Sequence, residues 1–320
     1  MPEAIFPAVI DNTIRSDFKA CEHQWFRRHC QGLTPKGSLN IHLHFGGCFA
    51  RGLEVTRKAY YAEGKSSEAA LLLGARAAIA AWGDYEMPDF SPPAAYKTLP
   101  GLLDALFSYF VEFPLATDRI RPLDIGHGPM VETSFAVPIP GCSHPTSGAP
   151  IIYSGRFDMV GTIGSAIWVD DEKTTSQLGD RWRDKWTLDA QATGYCWGLR
   201  QYGLNPVGAI IRGIGILSQN ITFAESIQPR APWQIQQWLD QLVADVDRML
   251  NLWEDYTCGT NGHLFGVPDR EAIFPRALDK DICHAYGHPC AFVPLCTSNT
   301  PDAWLDDYDV KFWDPLATKE

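Results

Sequence analysis

Asp158, Asp171 and Lys173 are the residues whose types and spacing could carry a reaction. Asp171 and Lys173 form an Asp-x-Lys near the end of the run SGRFDMVGTIGSAIWVDDEKTT (154–175), thirteen residues after Asp158. In an extended strand, residues two apart share a face, so Asp171 and Lys173 point one way and Glu172 the other. Two carboxylates brought together can hold Mg²⁺ or Mn²⁺, hard cations that prefer oxygen ligands and keep several sites for water and substrate. A neighbouring ammonium can orient the attacking water and offset the charge that builds on a phosphate in the transition state. An isolated Asp-x-Lys is in most chains an ordinary ion pair on a strand, so the surrounding elements decide the matter.

Those elements read as follows. Ile151–Val160 and Ala166–Lys173 are two short strands, and Gly161–Ser165 supplies the turn that pairs them as a hairpin and brings Asp158 toward Asp171. Met130–Val137, carrying Glu132, is a strand before them, and Gly208–Leu217 is a buried strand after them. Between lies a helix in WTLDAQATGYCWGLRQYG, where Gln191 and Tyr195 are four apart and so share a face. Upstream, residues 15–30 read as a helix bearing Cys21. Phe49–Trp82 is a helical region with a break near Gly64, Ser91–Pro100 a Pro-rich connector, and Gly101–Phe113 a further helix. Downstream, Ile235, Leu239, Leu242, Val246, Met249 and Trp253 form one stripe of a packing helix over Trp233–Trp253. Trp304–Pro315 is acidic and aromatic without periodicity and reads as a tail docked on the body or as a partner contact.

The order of Glu132 in VETSF, then GRFD, then DEKTT, then Gln191-x-x-x-Tyr195 resembles the RecB-like branch of the PD-(D/E)XK nuclease superfamily. The resemblance implies an α/β fold, a restriction-endonuclease-like core with a central mixed sheet flanked by helices, plus helical insertions. It implies one nuclease domain over 1–320, with an N-terminal helical part (1–125), a catalytic core (126–220) and a C-terminal helix and cysteine cluster (221–320). In its terms Asp158 and Asp171 bind the catalytic metal and Lys173 assists the attacking water. Gln191 and Tyr195 contact DNA or shape the site, and Glu132 is a looser match, as a further ligand or an orienting group. An earlier family motif corresponds to HFGGCFARGLE, with Leu53 and Glu54 in place but Ala50 where the family carries a metal-reaching His. His44, six residues earlier, is not a substitute on sequence grounds.

Nine cysteines, read with the expectation of no secretory leader, argue against a disulfide framework and for a metal. Cys283, Cys290 and Cys296 cluster in CHAYGHPCAFVPLC, among turn-forming Gly and Pro. The layout resembles iron–sulphur members of the same branch, including phage-encoded ones, in which one early cysteine joins three late ones. That resemblance implies Cys21 as the fourth ligand of a 4Fe–4S cluster, which takes four thiolates, tying both chain ends together. Six residues separate Cys283 from Cys290 where the family usually has two, so Cys290 and Cys296 carry over more firmly than Cys283. Zinc in a Cys/His site using His284 or His288 stays open as the alternative. Cys30 is a weaker competitor to Cys21, and Cys48, Cys142, Cys196 and Cys258 read as small, partly buried residues.

The 320 residues, 45% hydrophobic and 20% charged, are ordinary for a globular protein. A net charge of −11 argues against a protein that coats nucleic acid by bulk electrostatics, leaving local basic groups at Arg27 and Arg28, at Arg51, Arg57 and Lys58, and at Arg181, Arg183 and Lys185. No membrane span and no phosphate-binding loop are evident. The expectation is therefore a cytoplasmic protein (host cytoplasm if phage-encoded), with DNA as substrate and no nucleotide cofactor, any unwinding coming from a helicase or recombinase partner. Its expected activity is metal-dependent DNA cleavage, as an exonuclease in recombination, repair or phage DNA metabolism. The alternative is a catalytically silent DNA-binding or scaffold subunit with a structural metal cluster.

Overall fold

The turn expected at 161–165 is shorter: strand pairing continues through Ile163, and the chain reverses at Gly164 and Ser165, with Gly164 at φ +60°, a conformation open to glycine without steric cost. A computed structural model describes residues 3–37, 40–85, 96–216, 220–258, 273–285 and 288–317. In chain order its elements are β1 (Val9–Ile10), α1 (Asn12–Ala20), α2 (Glu22–Trp25) with a π-helical turn (Phe26–Cys30), β2 (Leu33–Pro35), α3 (Ile41–Tyr61), α4 (Ser67–Trp82) and α5 (Leu99–Glu112). There follow β3 (Arg121–Pro122), β4 (Val131–Ser143), β5 (Pro150–Ile163), β6 (Ala166–Thr175), α6 (Asp180–Asp184), α7 (Ala190–Gln201), β7 (Pro206–Ile216) and β8 (Ile221–Pro229). The chain then forms α8 (Pro232–Cys258), α9 (Lys280–Cys283), α10 (Val293–Thr297), a 3₁₀ turn (Pro301–Asp307) and β9 (Tyr308–Val310).

The fold is mixed α/β, with a seven-stranded mixed sheet flanked by helices and a separate pair β2–β9. Its main path runs β1-β5-β6-β7-β8, and β3 and β4 also pair with β5. β5 and β6 are antiparallel, β6 and β7 parallel, β7 and β8 antiparallel. The parallel step needs a crossover between β6 and β7, and α6 and α7 lie within it.

The described chain divides into two compact units, each gathered from distant segments. One consists of Met1–Gly37, Phe135–Gly155 and Gln237–Glu320; the other of Ser38–Ser134 and Arg156–Gln236. In the second unit α3, α4 and α5 bury Phe45, Phe49, Leu53, Trp82, Leu106 and Tyr109 with Ile214 and Ile216 of β7. α3 and α4 cross closely because position 74 lacks a side chain: a Cβ on Gly74 would stand 2.6 Å from the Gly52 carbonyl oxygen and collide with Thr56. In the first unit Phe6, Phe18, Trp25 and Trp253 meet edge to face, and Phe26 stacks on Phe274 at 4.1 Å.

Two expectations change, and a third is resolved toward one of its alternatives. The helix over 15–30 is broken at Cys21, whose extended backbone (φ −161°, ψ 113°) ends α1 and starts α2. The helical region from Phe49 starts earlier, at Ile41, and its break falls between Tyr61 and Ser67, around Gly64. The acidic, aromatic tail is built into the body, because β9 pairs with β2 through Leu33↔Val310 and Thr34↔Asp309. Strand β8 was not expected at all. The Pro-rich connector and the final strand's Leu217 lie in part outside the described residues. The stripe on α8 is buried as expected at Ile235, Leu242, Val246, Met249 and Trp253.

Candidate active site

β5 and β6 part company at the place the motifs share. Their ladder runs from Ile163↔Ala166 to Met159↔Asp170 and goes no further. Beyond it the Asp158 side chain takes over the backbone's role: the Glu172 amide donates to Asp158 Oδ2 at 2.9 Å. β6 keeps its direction because its other edge stays paired with β7, Asp171 opposite Ile211 and Lys173 opposite Gly213. Lys173 Nζ donates to Asp171 Oδ1 at 3.0 Å and lies 2.8 Å from Oδ2. Asp171 is buried, and the Lys173 side chain keeps 30% of its surface exposed. Asp158, Asp171 and Lys173 are thus brought together where two strands separate.

The electrostatics are those of an acidic site short of positive charge. Burial pushes the Asp158 carboxyl well above the usual range, and the nearby Asp171 adds to the effect. Burial likewise raises Asp171, with Lys173 working against the shift. For Lys173 burial disfavours the ammonium, but Asp171 and Asp158 outweigh it and hold the lysine charged far above neutral pH. Asp171 Oδ2 is buried and accepts no hydrogen bond despite its ion pair with Lys173.

The remaining motif residues distribute around this centre. Glu132 is buried at φ +51°, one of two non-glycine residues with positive φ among the described residues, and its carboxyl is raised to about 7 by burial. Its Oε2 lies 2.7 Å from Arg156 Nε. Glu54 is within electrostatic range of Glu132 and is itself paired with Arg51 and Lys58, both at 2.7 Å. Gln191 Nε2 donates to the Tyr195 hydroxyl at 2.7 Å, and the Tyr195 ring meets Phe157, the neighbour of Asp158, edge to face at 5.2 Å. Asp189, the N-cap of α7, reaches Asp171 and Lys173 electrostatically. His44 stacks on Tyr85 at 4.2 Å, abuts Trp82 and lies 3.7 Å from the Cys48 thiol, and among the described residues it does not meet the carboxylates.

Sequence reasoning missed Asp189 and the partners of Glu172. Arg57 of α3 pairs with both Glu172 and Asp170, and the Tyr109 hydroxyl donates to Glu172 at 2.7 Å. Arg212 of β7 binds Asp118 through both terminal nitrogens at 2.7 and 2.8 Å. The signal available was alternation: a Glu between Asp171 and Lys173 must face away from them and needs its own partner.

In the other unit Cys21, Cys283, Cys290 and Cys296 line one pocket with Gln24, Phe292 and Val293. The break at Cys21 presents the first thiol, and the Cys290 thiol donates to Gln24 Oε1 at 3.4 Å. Burial raises the Cys290 and Cys296 thiols, and Cys21 stands close enough to each to add to the shift. Cys30 is fully buried and does not line the pocket, and neither do His284 and His288 among the described residues. Cys48, Cys142 and Cys196 are buried and Cys258 is exposed.

Among the described residues no three Asp, Glu, His or Cys side chains converge as a ready-made cation cage. Two carboxylates are nevertheless a sufficient protein contribution for Mg²⁺ or Mn²⁺, which keep waters and take oxygens from substrate, and Asp171 Oδ2, buried and paired only with the Lys173 ammonium among the described residues, is an oxygen of that kind. Four thiols around one apolar pocket have the donor chemistry of an iron–sulphur cluster or of a thiolate zinc site.

No family model matches the chain, and no curated protein matches it. Among solved structures, the crystal structure of SSO0001 aligns with 77% of this chain and 91% of that chain, at 14% identity and a TM-score of 0.27. No helix among the described residues is long and apolar enough to cross a membrane.

Proposed function

We propose that this chain is a metal-dependent DNA nuclease of the PD-(D/E)XK type, acting as an exonuclease on single-stranded or end-containing DNA in the cytoplasm. The observation that carries the reading is the meeting of Asp158, Asp171 and Lys173 at the fork between β5 and β6. A Mg²⁺ or Mn²⁺ ion held by Asp158 and Asp171 would polarise the phosphate and acidify water. Lys173, kept charged by its carboxylate neighbours, orients the attacking water and offsets charge developing on the phosphoryl oxygens. Glu172 holds the strand in register from its other face through Arg57 and Tyr109. Gln191 and Tyr195 brace one another beside Phe157 and so shape the wall next to Asp158. In the other unit Cys21, Cys283, Cys290 and Cys296 would hold a 4Fe–4S cluster, and Cys21 in the pocket in place of either histidine favours that over a Cys/His zinc site.

The test is degradation of end-labelled linear and circular single-stranded DNA with Mg²⁺ or Mn²⁺, using anaerobically purified protein beside Lys173→Ala. Loss of linear DNA alone, slowed about 10²-fold or more in the variant, supports an exonuclease at this site. No cleavage of any DNA moves the reading to a silent DNA-binding or scaffold subunit.

A further inference from the structure

We infer that Arg156 receives a backbone phosphate of the DNA strand beside the scissile bond, and that Glu132 presents it rather than binding the metal. The inference rests on the nuclease reading. Arg156 precedes Asp158 by two residues on β5 and so shares its face. Beyond the last paired rung, Met159↔Asp170, Arg156 lies with Asp158 on β5, and Lys173 lies with Asp171 on β6, which stays paired with β7. Each strand thus carries one cation past the point where the two part.

Glu132 Oε2 lies 2.7 Å from Arg156 Nε, yet that buried oxygen accepts no hydrogen bond. The pair is a close ion contact, and the guanidinium has further N–H donors on its terminal nitrogens. Among the described residues Glu132 pairs with Arg156 through Nε, and a guanidinium engaged at Nε can still offer its terminal nitrogens to a second acceptor. The Arg156 side chain is 32% exposed and the Glu132 side chain 6%. A planar fork of donors anchored on one side and open to solvent on the other suits a phosphate.

Stability alone does not account for this pair. Partly exposed ion pairs contribute little, whereas Glu132 is held in left-handed backbone and buried to make this one. Strain kept at such a residue belongs with function. A metal at Glu132 would have to share a carboxylate that already meets a guanidinium.

The experiment measures KM, kcat and the salt dependence of binding for a fluorescein-labelled single-stranded oligonucleotide with wild type, Arg156→Ala, Arg156→Lys and Glu132→Gln. Binding is read by anisotropy with Ca²⁺ in place of Mg²⁺. Arg156→Ala should raise KM about 10-fold with kcat within about 3-fold, and flatten the log–log salt slope by about 0.7, the amount lost with one single-strand phosphate contact. Arg156→Lys should restore the slope but only part of KM, and it serves as the test should the alanine variant not fold. Glu132→Gln should raise KM while leaving the Mg²⁺ concentration for half-maximal rate unchanged. An unchanged KM and slope in the Arg156 variants would overturn the inference and make the pair structural. So would a rise in the Mg²⁺ requirement of Glu132→Gln with KM unmoved, which assigns Glu132 to the metal. Absence of cleavage by wild type would instead defeat the nuclease reading, and the anisotropy slopes would still decide the role of Arg156.

Discussion

Asp171 and Glu172 are adjacent on β6, with side chains 4% exposed in each case, yet the two faces of the strand treat a carboxylate differently. On the face of Glu172, burial is outweighed by Arg57, with help from Arg212 and Tyr109, and the carboxyl is lowered to about 2. On the face of Asp171 a single lysine opposes burial, and the carboxyl is raised. Asp170 shows the limit of the first arrangement: it lies by Arg57 and Arg212, but complete burial still pushes it up. A carboxylate that builds the fold is answered by guanidinium from the same unit. One that is left short of positive charge is, on the proposed reading, a place for a cation or a substrate.

The comparison is most sharply tested on the Asp171 face. On the proposed nuclease reading, Asp171→Asn should lower DNA cleavage by about 10³-fold or more, the effect of losing a proposed metal ligand, while the thermal midpoint stays level or rises because a buried carboxylate raised by desolvation is gone. A large fall in the midpoint would break the contrast. The reverse pattern belongs to the other face: Arg57→Met leaves Glu172 and Asp170 without their shared cation and should destabilise by about 3–5 kcal/mol in urea denaturation. If it costs less than about 1 kcal/mol, that face is not structural in the sense argued.

The same reasoning extends to the thiol pocket, with a smaller expected effect on the fold. Cys21→Ser should abolish iron incorporation, or the visible absorbance of reconstituted protein, while Cys30→Ser, buried and outside the pocket, should leave both. Equal loss in the two would remove Cys21 from the ligand set. The smallest effect concerns Lys97, buried against Phe45 and donating to His42 Nδ1 at 2.7 Å, with its ammonium lowered by burial to about 8. Because the unfolded chain holds that proton more tightly, the lysine burdens the fold fully below pH about 8 and progressively less up to about 10.5. Lys97→Met should therefore be more stable than wild type at pH 7, with the difference closing between pH 8 and 10.5 in denaturation midpoints.

Local pattern made part of this molecule legible. Alternation alone separates Asp171 and Lys173 from Glu172, and the strand obeys it. The stripe on α8 and the turn at Gly164 follow equally from period and backbone freedom. What escaped depends on partners far away in sequence. Nothing near Glu172 announces Arg57 or Tyr109, and nothing near Glu132 announces Arg156, because a cross-strand ion pair has no local period. The break at Cys21 escaped for another reason: residues 12–30 keep helical character on both sides of it, and one extended residue leaves no trace in composition. Strand β8, half-buried along its length, lacks the apolar run that marked β7.

The bond from the Glu172 amide to Asp158 Oδ2 also makes a single amide into a reporter. In an ordinary hairpin that proton would be guarded by a neighbouring carbonyl and would exchange with solvent only when the strands open. Here its guard is one carboxylate, so the exchange lifetime of Glu172 should collapse in Asp158→Ala while the amides of the intact ladder beyond Met159 keep theirs.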